Sequence, residues 1–406
     1  MRTRYGLSPW IDQFPASRRP DFPRFRGDLA AYVVIVGGGL TGCAIAHACA
    51  SAGLRPVLLE RDRVGHGSSG RGAGLLLPDP GPAFRDVAAA HGLRSARLAF
   101  EMWRSGAREA AALIRRLGIK CSLEARDASV AADRDHEKLL RREYEARAAA
   151  GLDVSWLTEK LLKRAIRLDA PGAMRMHDAF SLDPYRACVG LATAAAAKRN
   201  AQIFERSAVT KVRWAGKDVE IQLDGGTVRA GTVVIATGTA TAEFKPLRRH
   251  FKRRETYLAL TEPLPAAMRR QLGDPSVAIR DARVPPRRLR WTPDDRLILS
   301  GGDQPETPAR TRDAVRIQRT GQLMYDLLTM YPVISGLNPE YGWEASYGET
   351  ADGLMYIGPH RNYPRHLFAL GATPHSSTGA FLSAQILLRA LQGRAEKGDG
   401  VFAWSR

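Results

Sequence analysis

The fold is decided between residues 32 and 42, where the chain reads Tyr-Val-Val-Ile-Val-Gly-Gly-Gly-Leu-Thr-Gly. The β-branched run predicts a buried strand, and the small residues at 43–50 predict a helix after the glycines. Gly37, Gly39 and Gly42 have the G-x-G-x-x-G spacing of a turn that lets the backbone approach a pyrophosphate at a helix N-terminus. The stretch therefore predicts dinucleotide binding.

The next strand supports this interpretation. An apolar run at residues 56–59 is closed by Glu60, 18 residues after Gly42. An acid at that point of a strand–helix–strand unit hydrogen-bonds a ribose 2′-hydroxyl, so the site favours FAD or NAD over NADP. An isolated glycine turn would be weak evidence, and an ordinary α/β turn is the alternative.

The composition is that of a soluble globular protein with an unusual charge. Its 406 residues suggest two or three domains, and 44% hydrophobic with 25% charged residues is enough for a large core. The net charge is +19, but 51 of the 61 basic residues are arginines, scattered without a zinc-finger, RNP or helix-turn-helix pattern. We interpret them as solvated surface, with an electropositive funnel for an anionic substrate or cofactor, or nucleic-acid binding, as alternatives.

Cysteine and histidine usage predicts neither disulfides nor a metal site. The four cysteines form no C-x-x-C pair, which is typical of reduced, buried thiols in a cytosolic protein. The histidines are scattered without metal-ligand spacing. Arginines interrupt the N-terminal region, and no apolar stretch is long enough to span a bilayer, so we expect a cytoplasmic protein.

Periodicity predicts an α/β protein in which a Rossmann-like domain with a mixed, mainly parallel sheet accompanies a second domain with a mixed antiparallel sheet. Helical patterns cover 84–117 and 133–150, and Asp183 followed by Pro184 predicts a capped helix start. The predicted ranges are 1–30 for an irregular surface arm, 31–84 with 151–244 and 336–395 for the nucleotide-binding domain, and 85–150 (a helical segment) with 245–335 for the second, substrate domain.

Two loops rich in glycine and hydroxyl side chains flank the predicted nucleotide site. The first spans 61–75 after Glu60, and the second spans 371–379 before a helix at 380–391. Such loops offer hydroxyl and amide groups to a ligand, and a helix N-terminus favours negative charge. A strand at 232–238 ends in Thr-Gly, at the sheet edge where ligands bind.

In their order and spacing, these motifs resemble the FAD-dependent D-amino-acid oxidase superfamily, which contains glycine oxidase, sarcosine oxidase and γ-glutamylputrescine oxidase. The resemblance spans roughly residues 8–392, and the arm at 8–10 with the Ser-Gly-Arg loop is most similar to the γ-glutamylputrescine oxidase branch. It rests on residues 34–42 with Glu60, 67–71, 74–75, 183–186, 233–238, 290–297 with 301–302, 350–358 and 371–379.

The resemblance implies an FAD site. The glycine turn would hold the diphosphate, Glu60 the adenosine ribose, and the loop 371–379 the pyrimidine edge of the flavin. Because no cysteine follows Arg296 and an arginine stands where some members carry a linking histidine, we expect non-covalent FAD. The implied cofactor-binding residues are Gly37, Gly39, Leu40, Thr41, Gly42, Glu60, Arg61, Ser68, Ser69, Arg71, Gly74, Leu75, Val209, Thr237, Gly238, Gly371, Ser376, Ser377, Thr378 and Gly379.

The resemblance also implies a reaction: oxidation of a C–N bond in a small amine or amino acid by hydride transfer to flavin N5, followed by hydrolysis of the imine. Arg290 is the candidate for binding a substrate carboxylate, Tyr257 for lining the pocket, and His375 for touching the ring or the substrate. Each of the three is alternatively a structural residue.

The electron acceptor and the substrate class stay open from sequence. Ile298 stands where a lysine assists the reaction with O₂ in sarcosine oxidase, so O₂ and an electron carrier are both candidate acceptors. The alternative functions are a flavin dehydrogenase of a 2-hydroxy acid, a flavin-binding protein without turnover, and a tRNA- or nucleic-acid-associated flavoprotein.

Overall fold

The computed structural model describes residues 2–131 and 133–406. In chain order its strands are β1 (Arg4–Tyr5), β2 (Gly27–Val36), β3 (Pro56–Leu59), β4 (Leu75–Leu76), β5 (Glu124–Ala131), β6 (Val154–Thr158), β7 (Gly172–Ser181), β8 (Gln202–Phe204), β9 (Val209–Ala215), β10 (Asp218–Leu223), β11 (Gly226–Gly238), β12 (Lys252–Thr261), β13 (Val277–Asp281), β14 (Arg288–Trp291), β15 (Leu297–Pro305), β16 (Pro339–Glu349), β17 (Tyr356–His360) and β18 (Tyr363–Leu370). Its helices are α1 (Pro9–Asp12), α2 (Leu40–Ser51), α3 (Phe84–His91), α4 (Leu93–Arg116), α5 (Glu137–Ala149), α6 (Glu159–Ala165), α7 (Pro184–Ala196), α8 (Ala266–Arg269), α9 (Arg312–Met330) and α10 (Thr378–Leu391).

The first sheet has the order β17-β18-β11-β2-β3-β8, with the hairpin β9–β10 added to β11. From β18 to β8 its neighbouring strands are parallel. Val33 and Ile35 of β2 pack into the core under α2, α7 and α10, while Val34 packs into the core on the opposite face. Burial on both faces explains why this strand is an unbroken apolar run, and the predicted Rossmann-like domain is confirmed.

The second sheet has the order β1-β16-β12-β15-β14-β13-β5-β7-β4 and is mostly antiparallel, with β6 paired to β7. One face, which includes Tyr257 and Leu289, packs against α9. The other face, which includes Leu258 and Ile298, packs against Ala73 and the loop that follows the nucleotide site. The predicted second domain with a mixed antiparallel sheet is thus confirmed, and this second face is turned toward the nucleotide-binding domain.

The predicted domain boundaries do not follow the two sheets. β6, β7 and β16 lie in ranges assigned to the nucleotide-binding domain, yet they pair in the second sheet. α3 and α4 lie in a range assigned to the substrate domain, yet they pack with α10 in the core of the first. The chain crosses between the sheets several times, so a few contiguous ranges describe neither of them.

Two other local expectations are refined or corrected by the structure. The helical pattern at 84–117 forms two helices, α3 and α4, which are separated at Gly92, whose φ of +82° is outside the helical region. The arm expected to be irregular carries β1 and α1, and it docks because Ser8 Oγ donates to Gly70 O at 2.5 Å and Trp10 Nε1 donates to Gly72 O at 2.9 Å.

The four cysteines are free and buried, as expected of reduced thiols. Cys43 and Cys188 lie 3.6 Å apart at their sulfurs, and this contact, followed by burial, raises the pKa of Cys43 well above its usual value. None of the helices in the described ranges combines the length and the apolar character that a bilayer crossing requires.

Candidate functional site

The glycine turn, residues 37–42, joins β2 to α2, and side chains do not fit at its first and last glycines. Gly37 has a φ of +112°, and a Cβ there would lie 2.6 Å from Ala236 O. A Cβ on Gly42 would lie only 1.8 Å from Gly37 O, so α2 packs directly on the turn. Gly39, the N-cap of α2, offers no side-chain cap, so no side chain at that position competes with a ligand for the first-turn amides.

Glu60 and Ser69 lie on either side of this turn. Glu60 Oε2 accepts a hydrogen bond from Gly38 N at 2.6 Å, which holds the carboxylate at the end of β3 beside the glycines. Ser69 Oγ accepts from Leu40 N at 2.8 Å, at the start of α2. A carboxylate on one side and a hydroxyl on the other are the groups that a ribose and a phosphate need.

The second loop reaches the same sheet edge from the far end of the chain. Gly371 N donates to Gly238 O at 2.8 Å, joining the carboxyl ends of β18 and β11. Ser377 N donates to Leu75 O at 2.7 Å, and α10 begins at Thr378 with no side-chain cap from Ser377. Since α10 packs along α2, two helix N-termini lie at one edge of the sheet, and both favour negative charge.

The short 3₁₀ turn Ser68–Arg71 connects this edge to the second sheet. Ser68 Oγ donates to Ser346 O at 2.6 Å, and Arg71 Nη1 lies 3.5 Å from Glu344 O. A ligand that extends from the glycine turn toward the second loop would therefore pass between the two sheets, beside these two side chains.

The remaining predicted cofactor residues are spread along the same edge. Thr237 Oγ1 donates to Thr239 O at 2.8 Å, so its hydroxyl is used inside the protein. Val209 begins β9 two residues after Ser207, whose N donates to Glu60 O at 2.8 Å. Arg61 is exposed and pairs with its neighbour Asp62. The glycine cradle, the two helix starts that lie at this edge and the acid together fit an extended dinucleotide such as FAD.

Arg290 is held by the protein itself. Its Nε, Nη1 and Nη2 donate to Ala73 O, Trp291 O and Leu182 O at 2.6, 3.0 and 3.2 Å. The guanidinium also lies over Trp10, 5.2 Å from the ring centroid. Burial, followed by the charge of Arg126, lowers the pKa of Arg290 to about 9, so it stays charged at neutral pH. Arg290 therefore connects β14 to the first loop and to the residue after β7. This structural role differs from the predicted binding of a substrate carboxylate.

Tyr257 lies on the wrong face of β12 for the predicted pocket-lining role. It belongs to the core that packs against α9, while its neighbour Leu258 faces the nucleotide-binding domain. Its hydroxyl lies 2.8 Å from Thr307 Oγ1 and donates to Glu255 Oε2 at 3.1 Å. The period of two along a strand separates the two faces, and Tyr257 is a packed, hydrogen-bonded core residue.

His375 lies in a buried polar cluster where the second loop meets the second sheet. Its Nε2 is 2.8 Å from Asp303 Oδ2, and Tyr347 OH donates to the same oxygen at 2.6 Å. The rings of Tyr347 and His375 meet edge to face, with centroids 5.5 Å apart. Arg288 of β14 is near enough for its charge to act on both His375 and Asp303.

This cluster contains donors and acceptors that have no partner among residues 2–131 and 133–406. The donors are Nε and Nη1 of Arg288 and Nε of Arg280, which is the cross-strand partner of Arg288 in β13. The acceptors are Asp303 Oδ1 and His375 Nδ1, since Nε2 carries the hydrogen shared with the carboxylate. Buried polar atoms are nearly always paired in folded proteins, so these atoms require polar partners from outside the described chain, which ordered water or a polar ligand would supply.

The surroundings determine the charge of each group in the cluster. Burial, reinforced by Arg288, lowers the pKa of His375, so the imidazole is neutral at neutral pH. Burial alone would raise the pKa of Asp303, but its contact with His375 and the hydrogen bonds from His375, Thr256 and Tyr347 hold it well below its usual range. Burial, then the charge of Arg280, lowers the pKa of Arg288 to about 10. A guanidinium cation, a carboxylate and a neutral imidazole therefore face one another.

Sequence reasoning singled out His375 but missed Arg288, Asp303 and Tyr347. Arg288 could have been found from strand alternation. It lies two residues before the predicted Arg290, and residues two apart on a strand share a face. No sequence pattern links Asp303 to His375, which lie 72 residues apart on different elements.

Comparisons with known proteins agree with this architecture. The DAO family model, described as FAD dependent oxidoreductase, matches residues 32–390. A γ-glutamylputrescine oxidoreductase of Escherichia coli (strain K12) is 25% identical over 389 residues, which cover 95% of this chain and 89% of that protein. A glycine oxidase of Bacillus subtilis (strain 168) is 25% identical over 367 residues, which cover 87% of this chain and 92% of that protein.

The fold is also similar to that of a solved structure. The crystal structure of glycine oxidase from Geobacillus kaustophilus superposes with a TM-score of 0.77 at 21% identity. The match covers 93% of this chain and 99% of that one, so the two proteins share the fold over nearly their whole lengths.

Proposed function

The chain belongs to the DAO family of FAD-dependent oxidoreductases, and from that premise we propose that it oxidises the C–N bond of a small amino acid. The observation that carries the proposal is the buried cluster around His375, with unpaired donors on Arg288 and Arg280 and unpaired acceptors on Asp303 and His375. An amino acid complements both kinds of group at once, because its carboxylate accepts hydrogen bonds and its nitrogen donates them.

The proposed carboxylate site is Arg288. Its Nε and Nη1 have no partner in the described chain, so they are free to donate to a carboxylate, and the guanidinium is buried where water competes little. The substrate nitrogen would donate to His375 Nδ1, which has no partner in the described chain and has the Asp303 carboxylate on its far side. A 2-hydroxy acid would use Arg288 equally well but would bring no cation to the Asp303–His375 pair, which is why we favour the amine.

The proposed cofactor residues are those at the edge of the first sheet. Bound there, FAD supplies the acceptor for the hydride that leaves the carbon next to the nitrogen. The glycine turn and the start of α2 would hold the diphosphate, and Glu60 the ribose. The start of α10 would place its partial positive charge at the flavin edge. The loop residues Gly74 and Leu75 would lie beside the flavin ring, where Arg290 holds the backbone of Ala73.

The names of the relatives support the same substrate class. One relative is a γ-glutamylputrescine oxidoreductase and another a glycine oxidase. Both names denote substrates with an amine nitrogen, and glycine also has a carboxylate. We propose a small amino acid as substrate because the cluster around Arg288 offers groups for both ends.

Anaerobic reduction of the bound flavin tests this proposal. The yellow protein is mixed with matched triplets of compounds that share one carbon skeleton: an amino acid, the amine that lacks its carboxylate, and the corresponding 2-hydroxy acid. We expect the amino acid to bleach the flavin, the amine to do so only at much higher concentration, and the hydroxy acid not to do so. Bleaching by hydroxy acids alone, or by no member of the panel, refutes the proposal. Mixing the reduced protein with O₂ or a quinone then identifies the acceptor.

A further inference from the structure

We propose that the Asp303–His375 pair is the proton acceptor for the substrate ammonium, with His375 Nδ1 as the accepting atom. The inference rests on the proposed amino-acid oxidation and adds a catalytic residue to it. An ammonium group cannot lose a hydride from its carbon, because the nitrogen needs a free electron pair to form the C=N bond. A substrate that binds as the ammonium, the main form at neutral pH, must therefore lose a proton before the C–H bond breaks, and a base at the site can accept it.

The geometry gives His375 the form that this task requires. Its Nε2 lies 2.8 Å from Asp303 Oδ2, and a carboxylate can only accept a hydrogen bond, so Nε2 carries the hydrogen. Nδ1 then has the free lone pair, and it is buried without a hydrogen-bond partner in the described part of the chain. Tyr347 OH donates to the same carboxylate oxygen and fixes its position. A base oriented by a carboxylate on its far side is the arrangement used for general-base catalysis.

The groups that face His375 keep the imidazole neutral before the reaction and stabilise its charge afterwards. Arg288 on β14 and Arg280 on β13 oppose protonation through their positive charge, while Asp303 on β15 favours it. Burial and the arginines together lower the pKa of His375, so the lone pair is available at neutral pH. A substrate carboxylate on Arg288 would cancel one of the two opposing charges, so that binding makes the imidazole a stronger base.

The proton balance is complete within the cluster. The N–H bond of the ammonium breaks and a bond from that hydrogen to Nδ1 forms, which leaves a neutral amine with a free electron pair. That pair becomes the second bond of C=N as the hydride leaves the carbon for the FAD of the proposed reaction, so the substrate is oxidised by two electrons. The imidazolium is paired with Asp303 until the product departs and the proton returns to water.

The test is the pH dependence of anaerobic flavin reduction in His375→Gln and Asp303→Asn. We expect wild-type reduction to be nearly constant through neutral pH. We expect the His375→Gln rate to fall about 100-fold near neutral pH and to rise about tenfold per pH unit as free amine replaces ammonium in solution. Recovery at high pH is the signature of a lost proton acceptor, because a merely structural defect would lower the rate at every pH. Asp303→Asn should show a smaller loss with the same recovery.

The matched control is His177→Gln. His177 Nδ1 lies 2.9 Å from Asp127 Oδ1, so it forms the same kind of pair on a half-exposed part of the second sheet. We expect its pH profile to coincide with that of the wild type. Nitrogen NMR of the His375 ring in the wild-type protein provides a readout independent of turnover, and it should show the Nε2–H tautomer with a pKa below the usual histidine value.

Each outcome decides between the two proposals. If wild-type flavin is reduced by no amino acid at any pH, the proposed function fails. If the wild type is reduced but His375→Gln keeps its pH profile, or is equally slow at all pH values, the proton-acceptor role fails while the proposed function stands. If His375→Gln does not retain FAD, Asp303→Asn and the NMR tautomer decide, and an Nδ1–H tautomer overturns the assignment.

Discussion

Two arginines on one strand, Arg288 and Arg290, should respond in opposite ways to the same substitution. Each is replaced by methionine, which keeps a comparable unbranched stem and removes the charged head. Arg290 donates to three backbone carbonyls, whereas Arg288 has two buried nitrogens with no partner among the described residues. Arg290→Met should therefore cost stability, and Arg288→Met should cost substrate affinity.

The magnitudes follow from the hydrogen bonds. A bond from a charged donor contributes about 1.5–3 kcal/mol, and the three bonds of Arg290 share one side chain and are not additive. We expect Arg290→Met to lower the free energy of unfolding by about 4 kcal/mol, a large part of the roughly 5–15 kcal/mol typical of a folded protein. Because two of the carbonyls belong to Ala73 and Leu182, FAD retention should fall as well.

Arg288→Met removes a buried guanidinium whose Nε and Nη1 have no hydrogen-bond partner in the described chain, so it loses no hydrogen bond there and relieves the cost of burying the charge. Its unfolding free energy should stay within about 1 kcal/mol of the wild type or rise. Losing one partner of a buried, hydrogen-bonded charge pair weakens binding by about 2–4 kcal/mol, which is roughly 30- to 700-fold in the dissociation constant. The loss should apply to an amino acid and not to the amine that lacks its carboxylate.

The assay combines chemical denaturation, the ratio of flavin to protein absorbance, and anaerobic titration with the amino acid and its matched amine. The reasoning is refuted if Arg290→Met unfolds like the wild type and loses only substrate affinity, since Arg290 would then be the carboxylate site. It is equally refuted if Arg288→Met unfolds as readily as Arg290→Met. Equal loss of amine and amino-acid binding in Arg288→Met would show that Arg288 does not contact the carboxylate.

Two further predictions concern the cofactor site. Gly42→Ala should destabilise the protein by about 3 kcal/mol or more and abolish FAD retention, since its Cβ would lie 1.8 Å from Gly37 O. The matched change Gly321→Ala, in the exposed part of α9 with no atom within 4 Å of the new Cβ, should stabilise it by about 0.5–1 kcal/mol; equal effects at both sites would contradict the close packing of α2 on the turn. Acid precipitation should leave the flavin in the supernatant, because no cysteine follows Arg296, and colour that stays with the pellet would reveal a covalent link.

The nucleotide-binding half of the fold could be predicted from the sequence because its determinants are local. The turn at 37–42, the strand at 56–59 and Glu60 lie within one short stretch, and their physical requirements are short-range. Gly37 must adopt a positive φ, and Gly42 must allow the approach of Gly37 O. Asp183 caps α7 by accepting from Arg186 N at 2.9 Å, which also needs only neighbouring residues.

The second sheet was harder to predict because its strands are joined by long crossings and carry small or polar residues. β5 pairs with β7 and β13, and β16 pairs with β12, so each strand is stabilised by partners far along the chain. One face of this sheet meets α9 and the other meets the nucleotide-binding domain, so both faces are partly buried. The alternation of apolar and polar residues along its strands is therefore weak. The sequence periodicity therefore indicated strands in this region without their order.

The choice between Arg288 and Arg290 shows where sequence reasoning ends. Strand alternation places both on the face turned toward the nucleotide-binding domain, and the same alternation places Tyr257 on the opposite face. What distinguishes the two arginines is which of them finds partners. The carbonyls of Ala73 and Leu182, which lie 217 and 108 residues away in sequence, occupy Arg290. An arginine becomes available to a ligand only when the fold leaves it without such partners, and that property belongs to the packing of distant segments, not to the residue or its neighbours.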